Sequence, residues 1–201
     1  MRIVLVRPRD PNNIGAVARA MANFGLDDLM LVAPYEPTWA EARSAVGAGD
    51  VLAKARVVAT LREAIGDCTL AAATTAGARR SLVGVTTPEE FGAEAARETA
   101  SALVFGNEKH GLRADELAAC HRVVTVPTSS AQPSLNLAQA VAICCYVVRR
   151  TRDTGHPSRR RGARLATLDD VEGLIDEAVP RSDAPGVESR REGARARLRA
   201  L

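Results

Sequence analysis

The sequence predicts an α/β protein, a parallel sheet with helices on both faces. Three observations carry that expectation. From Arg2 to Arg150, short apolar runs rich in Val, Leu and Ile alternate with helical segments, and continuous apolar runs of this length suit strands buried on both faces. Polar or small-residue loops stand at the ends of several runs, where open α/β sheets bind their ligands. The segment after Pro133 carries Leu135, Leu137, Ala138, Val141, Ala142, Cys144, Cys145 and Val148. A helix apolar on so many sides is covered on most sides, by its own domain or by a second copy.

Taken in order, Arg2 to Val6 is a strand and Pro8 to Pro11 a loop. A helix from Asn12 or Asn13 runs to Phe24 and ends at Gly25, a suitable residue just past a helix end. Its apolar stripe is Ile14, Val17, Ala18, Met21 and Ala22; Asn12, Arg19 and Asn23 share the opposite, polar stripe. Asn12 and Asn13 stand at the helix mouth, where free N–H groups favour an anion. Leu29 to Val32 is the second strand. Helix follows at Thr38 to Val46, with a further turn at Asp50 to Ala55. Arg56 to Ala59 is the third strand, Leu61 to Ile65 a short helix, and Thr69 to Thr74 the fourth strand. Ala78 to Thr86 is a basic loop. Thr87-Pro88-Glu89-Glu90 reads as cap, first-turn proline and acidic first turn of a helix reaching about Thr99. Ala102 to Phe105 is the fifth strand, Asp115 to Ala119 a short helix, and Val123 to Val126 the sixth strand. The long apolar helix follows, with Ser134 as its expected N-cap.

Length and composition are those of one domain with an appendage: residues 1–152 as the folded unit, then residues 153–201 as a basic linker, a short helix from Thr167 to Val179 and an arginine-rich tail. The net charge of +3 is unevenly placed. Residues 149–201 hold 13 arginines against 9 acidic groups, a surplus of four, while the remainder is slightly acidic. Such a tail suits a polyanion such as nucleic acid, or a solvated arginine-rich surface. Aromatics are 3% of the chain, too few for a sheet of base-stacking rings. No apolar run reaches the ~18 residues of a membrane span, and the strand-like start is unlike a signal peptide, so a cytoplasmic location is expected. The four cysteines and three histidines lack metal-ligand spacing; no metal and no disulfide are expected.

The loops at the strand ends are rich in glycine or hydroxyls, yet none is GxGxxG or a P-loop. That argues against a dinucleotide oxidoreductase. No nucleophile elbow and no paired-carboxylate pattern is present. The chain therefore offers a nucleotide-like pocket without a nucleophile of its own, which suits a reaction whose cofactor is the electrophile. Glu108 is open to two readings, a general acid or base (or partner of Lys109), and a loop carboxylate that accepts from backbone amides.

Three stretches, PNNIGAVARAMANFGLDDLMLVAP, LVFGNEKHGL and VPTSSAQPSLNLAQAVAICCYVV, resemble in order the three motifs of the SPOUT-class RNA ribose 2′-O-methyltransferases, TrmH branch, and most closely its TrmJ group. The resemblance covers about Arg2 to Arg150, and weakly ATLDDVEGLIDEA. It implies S-adenosyl-L-methionine as cofactor, a C-terminal trefoil knot that general topology rules would not predict, a homodimer, and a tRNA substrate modified on the ribose of nucleotide 32 in the anticodon loop. It implies catalytic roles for Arg19, Asn13, Glu108, Ser134 and Asn136. It places the cofactor among Thr74, Thr75, Ala76, Val104, Phe105, Gly106, Gly111, Val126, Pro127, Ser134 and Leu135. In the family the motif-1 arginine, here Arg19, is assigned the role of base. A guanidinium with a pKa above ~12 is better suited to anchor phosphate and stabilise a developing alkoxide; both roles stay open. The family's longer helical extension is here a short segment after Val179. A base-methylating relative would lack the NNIGAVAR pattern, and a non-catalytic RNA-binding relative would not need Arg19, Glu108 and Ser134-Leu135-Asn136 together.

Overall fold

The computed structural model describes residues 1–35, 45–76 and 84–153. The expected helix from Thr38 lies outside the described residues except for Ala45 and Val46, which are not helical; the linker and the tail with its helix at Thr167 lie outside them. Among the described residues, seven parallel strands form one sheet: β1 (Arg2–Val6), β2 (Asp28–Val32), β3 (Arg56–Val58), β4 (Leu70–Thr74), β5 (Val85–Thr86), β6 (Ser101–Phe105) and β7 (Arg122–Val124). Their order is β3-β2-β1-β6-β4-β7-β5. The described helices are α1 (Pro11–Asn23), α2 (Gly49–Lys54), α3 (Leu61–Ile65), α4 (Pro88–Ala95), α5 (Ala114–Ala118) and α6 (Leu137–Asp153).

Period-two alternation divides the central strands β1, β2, β4 and β6 between two cores. Ile3, Leu5, Leu29, Leu31, Leu103, Phe105 and Val124 face one side, where α1, α2, α4 and α6 supply Ile14, Met21, Leu52, Phe91, Val141 and Cys145. Val4, Val6, Met30, Ala71, Ala73, Ala102 and Val104 face the other, under α3 and α5. Both faces are dry, which is why the strands read as continuous apolar runs rather than alternating ones.

Most expected elements are present, with local corrections. Gly25 takes φ +70°, and the amides of Gly25 and Leu26 return to the carbonyls of Ala22 and Met21, the pattern of a helix closed by a left-handed residue. Thr87 and Glu90 cap each other at the start of α4. That helix stops at Ala95, short of Thr99, because the chain must turn to enter β6. Ala22 lies exposed rather than on the buried stripe of α1. Asn136, not Ser134, caps α6: its Oδ1 accepts from the Ala138 amide at 2.8 Å, and Gln139 Oε1 accepts from the Asn136 amide at 3.3 Å. Thr125 and Val126 lie beyond β7. β5 was not expected; two residues beside β7 carry too little pattern to be read as a strand. Finally, α6 is not covered all round. Leu137, Val141, Cys144, Cys145 and Val148 are buried, but Ile143 is 36% and Tyr146 49% exposed.

At the amino ends of the strands Arg2 is almost buried. It bonds Asp28 and Asp67 and donates to the Ala64 carbonyl at 2.7 Å, so β1, β2 and the end of α3 are tied at the edge remote from the site described next. Its bond to Arg2 holds Asp67 down at about 2.

Candidate active site

The site grows from the turn after β6. An added Cβ on Gly106 would lie 2.2 Å from the Gly111 carbonyl carbon and 2.3 Å from the Leu112 nitrogen, so only glycine lets the loop fold back on itself here. Asn107 holds that shape. Its Oδ1 accepts from the amides of Lys109 at 2.9 Å and His110 at 3.3 Å, and its Nδ2 donates to the Arg7 carbonyl at 2.7 Å.

Arg7, the residue after β1, takes φ +51°, an uncommon conformation for a residue with a side chain. A paired guanidinium and carboxylate hold it there. Arg7 forms two hydrogen bonds to Glu116 of α5, the Nη2–Oε2 bond being 3.0 Å. Glu116 also accepts from the Arg113 amide at 2.7 Å. Burial pushes the Glu116 carboxyl up, but Arg7 and the Arg113 amide outweigh it, and its pKa is lowered. The loop after β1, the loop after β6 and the start of α5 are thus locked together.

Glu108 then points across to the start of α1. Its carboxylate accepts from the Arg9 amide at 3.1 Å, the Asp10 amide at 3.2 Å and Asn13 Nδ2 at 3.2 Å. Of the two sequence readings, the geometry is that of a carboxylate accepting from amides. The anionic groups at the mouth of α1 are the protein's own, since Asp10 also caps it, accepting from the Asn12 amide at 2.9 Å. Asn13 Oδ1 in turn accepts from Asn136 Nδ2 at 3.0 Å. A continuous line, Glu108 to Asn13 to Asn136, joins the three stretches singled out in the sequence, from residues about 95 and 123 positions apart.

Beside this line a cavity of about 340 Å³ opens at the carboxyl ends of β4, β6 and β7, within the size range of small-molecule sites. Its walls mix apolar side chains (Leu112, Leu117, Val124, Leu137, Ala140, Cys144) with loop backbone. Of the residues named from the resemblance, Thr74, Thr75, Ala76, Phe105, Gly106, Gly111, Val126, Ser134 and Leu135 line it, and so does Glu108. Val104 does not, because strand alternation turns it into the opposite core at 0% exposure. Pro127 is exposed and does not line it. Arg19 is exposed on α1 and is not among the lining residues. Sequence reasoning missed Arg7, Asn107, Glu116, Leu117 and Cys144. Nothing local marks the first three as partners, since Arg7 and Glu116 are 109 positions apart. The Cys144 and Cys145 thiols are pushed up to about 12 by burial and are not nucleophiles near neutral pH. Among the described residues no cluster of His, Cys, Asp and Glu could hold a metal.

A parallel sheet whose carboxyl edge carries a cavity of mixed polar and apolar lining, walled by converging loops, is the arrangement by which α/β proteins bind small ligands. The chain belongs to the SpoU rRNA methylase family, whose model matches residues 1–146. It is 43% identical over 153 residues to a tRNA (cytidine/uridine-2′-O-)-methyltransferase TrmJ of Yersinia pestis (strain Pestoides F), covering 74% of this chain and 60% of that protein. The same-named protein of Salmonella typhimurium is 38% identical over 180 residues, 86% of this chain and 74% of its own length. The crystal structure of TrmJ from Z. mobilis ZM4 superposes with a TM-score of 0.69 at 34% identity, covering 99% of this chain and 90% of that one. The chain thus spans about 60% of the length of the first Yersinia relative.

Proposed function

We propose that the protein is an S-adenosyl-L-methionine-dependent methyltransferase acting on the ribose 2′-hydroxyl of tRNA, with nucleotide 32 of the anticodon loop as the favoured position. The single observation that carries this reading is the hydrogen-bonded line Glu108–Asn13–Asn136 beside the cavity. It unites the three family stretches in one place.

The residues fit the cofactor. The cavity offers apolar walls for a flat ring system, and its rims at residues 74–76, 105–112 and 133–135 offer backbone donors and acceptors. Thr74 is spent on the fold, donating to the Val104 carbonyl at 3.0 Å, so recognition falls mainly to backbone. When bound, S-adenosylmethionine supplies a methyl group on a positively charged sulfur.

The chain's own contribution is positional. Asn13 and Asn136, fixed by Glu108 and by the N-cap of α6, form a rigid polar edge on which a ribose hydroxyl can be oriented. Ser134 lines the same edge with its side chain exposed. Holding two reactants in one geometry can supply much of the acceleration. Glu108, which accepts from three N–H groups, is assigned the orientation of Asn13 rather than proton transfer. Arg19 lies outside this cavity, so in this reading it serves the cavity of a second copy. The exposed Ile143 and Tyr146 on α6, which packs against α1, support a homodimer that would bring it there. The trefoil knot, a cytoplasmic location and an RNA-binding role for residues 153–201 are part of the same reading. No described helix is long and apolar enough to cross a membrane.

Incubation with methyl-labelled S-adenosylmethionine and tRNA lacking ribose methylation, followed by nucleoside analysis, tests the proposal. Label in 2′-O-methylcytidine or 2′-O-methyluridine is expected. Label on a base would replace the reading with a base methyltransferase, and absence of transfer with intact RNA binding would favour a non-catalytic relative.

A further inference from the structure

The ring of Tyr35, just beyond β2, is 67% exposed. It is held in place by its backbone, whose amide donates to the Pro8 carbonyl at 3.0 Å. The Arg9 guanidinium carbon lies 5.0 Å from the ring centroid, inside the range of a cation–π contact, and among the described residues it has no carboxylate partner. Alongside, Ala33, Pro34, Val57, Val58, Ala59 and Glu63 line an open groove. The core does not need this ring.

Its place is informative. The Arg9 amide donates to Glu108, and Glu108 lines the cavity. One short stretch of backbone, Pro8–Arg9, therefore separates the aromatic ring from the proposed reaction centre. Both open at the carboxyl edge of the sheet, the cavity over β4, β6 and β7, the ring at the end of β2.

We propose that Tyr35 and Arg9 form a stacking shelf for a base neighbouring the target nucleotide, in single-stranded RNA. Unstacked bases settle on aromatic rings and guanidinium planes, and this recognition tolerates any base because every base has a π-face. A paired base has no such face free, so the shelf selects loops over duplexes. Arg9 adds a charge that can meet the adjoining phosphate. The groove beside the ring offers the base Ala33, Pro34, Val57 and Val58, while the Glu63 carboxylate at its border is occupied by the Ala59 amide at 3.0 Å. The chain is poor in aromatics, so the shelf holds one base rather than a row.

This inference rests on the RNA methyltransferase reading above, and its test separates the two. The full chain is assayed with tRNA lacking ribose methylation, measuring KM and kcat, with cofactor affinity measured separately by calorimetry. Tyr35→Ala is expected to raise the KM for tRNA about 5- to 150-fold, with cofactor affinity and thermal midpoint unchanged. Tyr35→Phe keeps the ring and is expected to stay within twofold of wild type. Arg9→Ala raises KM and reduces the salt slope of RNA binding by about one unit. A wild-type KM for Tyr35→Ala, a Tyr35→Phe as impaired as Tyr35→Ala, or a loss of cofactor affinity in Tyr35→Ala each overturns the shelf. A wild-type protein that moves no methyl to ribose overturns the underlying function, and the shelf with it.

Discussion

At the scale of single residues, the site depends on side chains that are absent as much as on those present. Gly106 sits where a methyl group would meet the backbone of Gly111 and Leu112. Backbone cannot rotate aside as a flexible side chain can, so Gly106→Ala must displace the loop that carries Asn107 and Glu108. A loss of at least about 1–3 kcal/mol is expected, with S-adenosylmethionine affinity falling along with it; calorimetry and thermal melts on the same preparation check both. Arg19 makes the opposite case. It is exposed on α1 and its removal opens no core, so Arg19→Ala should keep the melting temperature and cofactor affinity. Methyl transfer should fall by roughly 100-fold or more, the scale of losing one preorganised electrostatic contact. Arg19→Lys then separates its two candidate roles. Lysine retains a charge and is the easier base, but lacks the planar fork. Activity that tracks an amine in the pH–rate profile would identify a base; inactivity at every pH would identify the fork.

At the scale of elements, the ends of β1 and β6 and the start of α5 are fastened by Arg7, Asn107 and Glu116. Glu116 is nearly buried, its side chain 9% exposed against 28% for Arg7. Glu116→Gln leaves the guanidinium without its counter-charge. A cost of about 2–3 kcal/mol is expected, below the ~3–5 of a fully buried pair because Arg7 keeps some water. The pH dependence has a definite sign. The folded pKa of Glu116 is lowered from its ordinary value of 4.5, so its stabilisation is complete above that value and is lost as pH falls through the lower folded pKa. Denaturant titrations should therefore show a full gap between wild type and Glu116→Gln at pH 7. The gap should narrow progressively below pH 4.5; a gap independent of pH would mean the pair does not act through charge.

At the scale of the molecule, the exposed side of α6 is the face on which the proposed homodimer would form. Ile143 and Tyr146 stand in water there, with Tyr146 edge-on to Phe24 at 5.9 Å. A second copy covering this side would bury them. Light scattering on the wild-type protein is expected to give twice the chain mass of 21.3 kDa. Ile143→Asp should give the single-chain mass and much reduced transfer, with the monomer still folded because Ile143 does not support the inner core.

Much of this was legible in the chain itself. The alternation of buried runs and helices, the caps at Thr87 and Gly25, and most cavity-lining loops follow from local chemistry: apolar periodicity, propensity, and the needs of free backbone N–H and C=O groups. These act over a few residues and leave a pattern there. What only the tertiary structure decided acts between distant residues. Ser134 and Asn136 are both competent caps by local rules, and the choice of Asn136 comes with its bond to Asn13, 123 positions away. Glu108 is ambiguous in sequence because its partners lie about 98 positions earlier. Val104 is adjacent to cavity residues along the chain yet faces the other core, since a strand turns successive side chains to opposite sides. The pairing of Arg7 with Glu116 leaves no sequence signal, because contact between them exists only once β1 and β6 lie side by side.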